Sequence, residues 1–150
     1  MTDAGVLIVG YGNPLRSDDG IGWHAARLLA TDPRLDGARV LAQHQLAPEL
    51  AEDVSQASLV VLLDAAEGDP GSVSVRQIEP RPATPATWSH HLDPETLAGL
   101  AQTLYGAVPP IVLVSVAAAT FAEDDGLSST LQQALPGVVE TVAGVVSQRT

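Results

Sequence analysis

The sequence contains no cysteine and no lysine. The first absence excludes disulfides, thiolate metal ligands and cysteine nucleophiles. The second excludes Schiff-base chemistry and the lysine of a phosphate-binding loop. Aromatic residues occupy 3% of the 150 positions, so a core has to be packed from Ala, Val and Leu. Basic charge is scarce as well: seven arginines face eighteen acids, for a formal net charge of −11. Such a balance repels the phosphates of nucleic acid and an anionic membrane surface, while it attracts cations. No apolar run reaches the length of a membrane span. No basic N-terminal region leads into an apolar stretch, so no signal peptide is visible. A cytoplasmic protein without nucleic-acid or membrane partners is expected.

What is present is a regular alternation. Val6–Val9, "ARVLAQHQ", "SLVVLLDAA" and "PIVLVSVAA" read as strands. "GSVSVRQIEP" alternates with period two, which suits an edge or half-exposed strand. Helical spacing runs from Asp19 to Ala30, through "APELAEDVSQ" and through "LDPETLAGLAQTLYG". In the last of these Asp93 is placed as N-cap, Pro94 in the first turn and Gly106 after the end. The C-terminal stretch reads as one helix, or as two broken at Pro136 and Gly137. "PRPATPATWSHH" is a proline-broken loop. No repeat or linker divides the chain, and 150 residues suit a single domain over 1–150. The predicted architecture is a three-layer α/β/α sandwich. Its twisted sheet has about five mostly parallel strands, with room for one antiparallel strand. The apolar strands Val6–Val9, Leu59–Leu63 and Ile111–Val116 are expected to be central neighbours.

Sites in such sheets gather beyond the carboxyl ends of the strands. Three segments map there: the loop Gly10 to Asp19, the strand end at Asp64, and the loop from Ser89 to His91. "VGYGNPLRSDDGIG" opens like a dinucleotide-binding turn, but Leu15 stands where the third glycine would be. Asp18 and Asp19 would also face the pyrophosphate, which disfavours a nucleotide. The two acids fit helix capping or a cation site equally well, with Arg16 placed to pair with Asp18. Asp64 ends an apolar strand, where an ionised group needs a partner; capping of the next turn is its bland reading. His90 and His91 are adjacent. His24 is expected on the surface, and His44 near the cleft in a supporting place at most. Two carboxylates and an imidazole without sulfur suit a borderline divalent ion such as zinc or nickel. A Ser-His-Asp triad built on Ser17 or Ser89 competes, but it lacks a nucleophile turn.

"GYGNPLRSDDGIG", "VVLLDAAEGDPGSV" and "SHHLDPETLAGLAQTLYG" resemble, in this order, the three motifs of the hydrogenase maturation proteases. "ARVLAQHQLAPELAEDV" and "FAEDDGLSSTLQQALPGVVETV" are similar to further family segments, so the resemblance spans nearly the whole chain. It implies an endopeptidase that recognises nickel in the precursor of a nickel–iron hydrogenase large subunit and removes its short C-terminal extension. Nickel would arrive with the substrate, and another divalent cation could occupy the isolated protein. Carried over, the catalytic and metal-binding residues would be Asp19, Asp64 and His90, with His91 as the alternative third ligand. Many family members have glutamate where this chain has Asp19. With no cysteine nucleophile, attack by water assisted by a carboxylate is the natural mechanism. The alternative is a non-catalytic, metal-dependent binding module for a hydrogenase-like partner.

Overall fold

The three central strands are apolar at nearly every position because each is covered on both faces. In the computed structural model, which describes residues 5–82, 92–122, 124 and 126–149, they are β1 (Val6–Tyr11), β3 (Leu59–Ala66) and β5 (Ile111–Ala117). They lie side by side and parallel, as expected. β2 (Arg39–Gln43) adds in parallel beside β1, and β4 (Val73–Gln77) pairs antiparallel with β5. The order is therefore β2-β1-β3-β5-β4. All five residues of β4 are exposed, the edge that its polar alternation forecast.

Side chains alternate between two cores. Leu7, Val9, Val60 and Leu62 face α2 (Leu50–Gln56) and α3 (Pro94–Tyr105). Ile8, Val61, Leu63, Val112 and Val114 face α1 (Ile21–Leu29) and α4 (Ser129–Arg149). The result is the predicted α/β/α sandwich. Asp93 caps α3, accepting from the Thr96 N–H at 2.7 Å, and Gly106 ends it in the left-handed conformation.

Some boundaries differ from the sequence reading. A 3-10 turn, Ser17–Gly20, precedes α1, so the helix starts at Ile21 rather than Asp19. β2 stops at Gln43, leaving His44 in the following loop. The last helix is continuous over 21 residues despite Pro136. Pro136 and Gln132 both lie on its exposed face, where the carbonyl that Pro136 leaves unpaired meets water. Among the described residues no helix is long and apolar enough to cross a membrane.

Helix α1 approaches the sheet at backbone contact. A Cβ on Gly10 would overlap the Gly22 carbonyl, and a Cβ on Gly22 would overlap the carbonyl of Leu63. Gly10→Ala or Gly22→Ala should therefore cost about 3 kcal/mol. A methyl group on Gly137 would meet nothing within 4 Å, and this residue lies exposed within α4, so Gly137→Ala should gain about 0.5–1 kcal/mol. Urea unfolding of the three variants checks both signs.

Candidate active site

The chain leaves β1 and β3 in opposite directions along the sheet. From β1 it passes through α1 to β2 on one side, and from β3 it moves to the β5-β4 side. The gap between their carboxyl ends is the position where open α/β sheets bind ligands. β1 parts from β3 after the pair Gly10 and Leu63. Asp64, the next residue of β3, thus keeps only β5 as neighbour, through Ser115. A cleft of about 730 Å³ opens here, with Asp19 and Asp64 both on its wall.

The Gly12 turn delivers Asp19. Gly12 has φ +140°, a value that side-chain-bearing residues rarely adopt, and a Cβ there would overlap the Asp19 carbonyl. The Gly12 N–H donates to the Gln43 carbonyl at 3.1 Å, tying the turn to the end of β2. The Asn13 N–H donates to Asp19 Oδ2 at 2.8 Å and closes the loop around the carboxylate. One Asp19 oxygen is thereby engaged, and the half-buried side chain faces the cleft.

Asp64 belongs to the face of the sheet that carries Val9 and Tyr11. Desolvation pushes its carboxyl up to about 6, and the nearby Asp19 charge adds to the rise. The Ala65 N–H, 2.7 Å from Oδ1, and the Tyr11 hydroxyl oppose it as donors. Tyr11, 8% exposed, is held well above the ordinary phenol range by burial first and by Asp64 next. It is therefore a neutral donor at any working pH. Period-two alternation from Leu7 and Val9 already places Tyr11 on this face, so the signal for it is present in the sequence.

Asp18 does something different. It is fully buried and accepts from the N–H groups of Ala119 (2.8 Å), Thr120 (3.1 Å) and Ser128 (2.7 Å), and from the Ser128 hydroxyl (2.8 Å). Burial pushes this carboxyl up, but the bonds from Ser128, Ala119 and Thr120 outweigh it and hold it below the usual range. The expected pairing of Arg16 with Asp18 is not formed; the Arg16 guanidinium donates instead to the Phe121 carbonyl at 3.4 Å. The buried Ser17 takes φ +48°, a conformation costing roughly 1 kcal/mol. Its N–H bond to the Asp124 carbonyl, 2.9 Å, helps hold it there. The acid pair thus divides its work: Asp18 anchors the loop and Asp19 faces the cleft. Ser128 lies 110 residues from Asp18, and no local pattern in the sequence announces that contact.

His44, exposed at the end of β2, lines the cleft beside Gln45 and Leu46. His24 departs from expectation: it is half-buried on α1 and stands edge-on to Trp23, with ring centres 5.2 Å apart. His90, His91 and Ser89 lie outside the described residues. The described chain resumes at Leu92, which with Asp93 and Pro94 forms part of the cleft wall. Asp93 is already engaged by the α3 cap and by Arg81 at 2.6 Å. Among the described residues no three potential ligands cluster closely enough to hold an ion. Asp19 and Asp64 offer two carboxylates, which is an incomplete set for a borderline divalent ion.

No protein-family model matches the sequence, and no curated protein matches it significantly. Solved structures do. The hydrogenase maturating endopeptidase HybD from E. coli superposes with a TM-score of 0.71 at 22% identity, covering 96% of this chain and 93% of that one. The fold is that of the hydrogenase maturation endopeptidases. The maturation protease HycI from Thermococcus kodakarensis gives 0.73 at 20% identity, over 96% and 93% of the two chains. A hydrogenase 2 maturation peptidase from a Thaumarchaeota archaeon gives 0.72 at 22%, over 95% and 98%.

The two acids respond oppositely to pH. The folded-state value of Asp64 is raised from 3.8 to about 6, so it binds its proton more tightly folded than unfolded. Its contribution is favourable below pH 3.8 and is lost as pH rises through 6. Asp64→Asn should raise stability by about 2 kcal/mol at pH 7.5, and the gain should shrink between pH 6 and 4. Asp18 is lowered, so its contribution is present above the ordinary carboxylate value and is lost as pH falls through the folded one. Asp18→Ala leaves buried N–H groups without an acceptor and should cost about 3 kcal/mol at pH 7. Thermal unfolding across this pH range measures both.

Proposed function

We propose that the protein is an endopeptidase of hydrogenase maturation, acting on the precursor of a nickel–iron hydrogenase large subunit. The observation that carries the reading is the meeting of Asp19 and Asp64 in one cleft between the carboxyl ends of β1 and β3. Likeness to structures of hydrogenase maturation endopeptidases over nearly the whole chain supports it.

In this reading nickel is part of the substrate. Asp19 and Asp64 present oxygen donors to it, and His90, with His91 as the alternative, presents an imidazole. Two acids and one imidazole are few ligands, so the grip on free nickel is weak and the precursor completes the coordination. Recognition of the metal then places the C-terminal extension across the cleft. Water adds to the scissile carbonyl carbon and gives its proton to a cleft carboxylate. That proton passes to the leaving nitrogen as the C–N bond breaks. The products are a mature chain with a new carboxylate and a short peptide with a new amine. Tyr11 supports the site as a neutral donor that orients Asp64. In this reading the protein acts in the cytoplasm.

Intact-mass measurement of the precursor tests the reading. Wild-type protein should release one short C-terminal peptide. Asp19→Ala and Asp64→Ala should lower the rate by a factor of about 1,000 or more while circular dichroism stays native. His90→Ala should weaken processing strongly and His91→Ala only modestly, since adjacent side chains seldom point at one ion. Wild-type rates in either aspartate variant would remove that residue from the mechanism.

A further inference from the structure

The acidic cleft has one arginine on its described wall. Arg16 lines it together with Asp19 and Asp64. The other arginines are mostly committed. Arg34, Arg39, Arg76 and Arg81 each hold a carboxylate at 2.6–2.8 Å, and Arg27 lies over the Trp23 ring at 4.8 Å. Arg16 holds no carboxylate among the described residues, although acids outnumber arginines by eighteen to seven. Its side chain is exposed and makes one long bond, to the Phe121 carbonyl at 3.4 Å.

Its backbone is fixed nonetheless. The Arg16 N–H donates to the Asn13 carbonyl at 3.0 Å, and its own carbonyl accepts from Asp19 at 3.1 Å. The next two residues are the buried Ser17 and Asp18, tied to Ala119, Thr120, Asp124 and Ser128. An exposed side chain is thus carried on a hydrogen-bonded backbone at the cleft wall. An anion approaching this cleft meets repulsion from Asp19 and Asp64 unless a cation faces it. A guanidinium is the group whose planar fork matches a carboxylate.

We propose that Arg16 determines specificity by taking a carboxylate of the substrate peptide, either its terminal one or an acidic side chain. A C-terminal extension always carries one such group, its free α-carboxylate. The inference rests on the processing reading above, since it takes a peptide to be what enters the cleft.

The test uses small peptides, so it does not depend on cleavage. The Arg16 Nε–Hε resonance, assigned through Arg16→Gln, is followed during titration with acetyl-trialanine as free acid and as carboxamide. Acetyl-Ala-Glu-Ala-amide supplies a side-chain carboxylate instead. A shift with the free acid assigns the terminal carboxylate; a shift with the glutamyl amide alone assigns an acidic side chain. In either case the apparent affinity, read in all variants from the backbone amide resonances of Asn13 and Asp19, should fall about tenfold in Arg16→Gln and partly recover in Arg16→Lys. An equal response to acid and neutral amide, or no response to any peptide, would overturn the proposal. So would an unchanged affinity in Arg16→Gln. With a cleavable precursor, Arg16→Gln should raise KM about tenfold and leave kcat within about twofold. A precursor that wild-type protein does not cut refutes the processing reading, while the peptide titration still decides the role of Arg16.

Discussion

Helix α1 can rest on the sheet at backbone distance because Gly10 and Gly22 carry no side chains where the helix crosses β1 and meets the Leu63 carbonyl. This contact sets the geometry of everything above it. It seats the turn before the helix directly over the carboxyl ends of β1 and β3. Gly12 then packs against the Asp19 carbonyl, and Asp19 comes to face the cleft that Asp64 lines from the neighbouring strand. In a Rossmann-type turn, glycines let a backbone approach a pyrophosphate. Here the same sparing of Cβ atoms serves contact between protein segments, and the space left at the sheet edge is lined by acids.

The charge placement follows from that geometry. Two carboxylates brought together in a partly dry cleft cannot both ionise without cost. Asp64 is raised to about 6, by desolvation first and with the Asp19 charge contributing. Asp18, one residue from Asp19, escapes the conflict by turning to Ala119, Thr120 and Ser128, from which it accepts four hydrogen bonds. Asp18 and Asp64 thus serve opposite ends: hydrogen bonds hold Asp18 in its ionised form, while Asp64 carries a charge that burial disfavours. A cation would relieve the second group and do little for the first.

The sheet was legible because its central strands are continuously apolar and its edge strand alternates. Continuous apolarity follows from being covered on both faces, and the polar alternation of β4 goes with an edge whose five residues are all exposed. The cleft was legible because strand-helix alternation fixes which loops share an edge, so Asp19 and Asp64 could be brought together from residues 45 apart in sequence. What escaped depends on side-chain direction across long separations. Asp18 reaches Ser128, Arg16 turns to the Phe121 carbonyl rather than to Asp18, and His24 tucks against Trp23. A pattern of residue types records which face a position occupies, and it does not record the partner met there.

Under the proposed function, this cleft recognises a metal carried by a protein substrate. The most direct measurement is the intact mass of the large-subunit precursor after incubation with the protein, loaded with nickel in one sample and metal-free in the other, at moderate salt so that the −11 charge is screened. Loss of one short C-terminal peptide is expected from the nickel-loaded precursor, and an unchanged mass for the metal-free one. Equal cleavage of both would contradict that recognition.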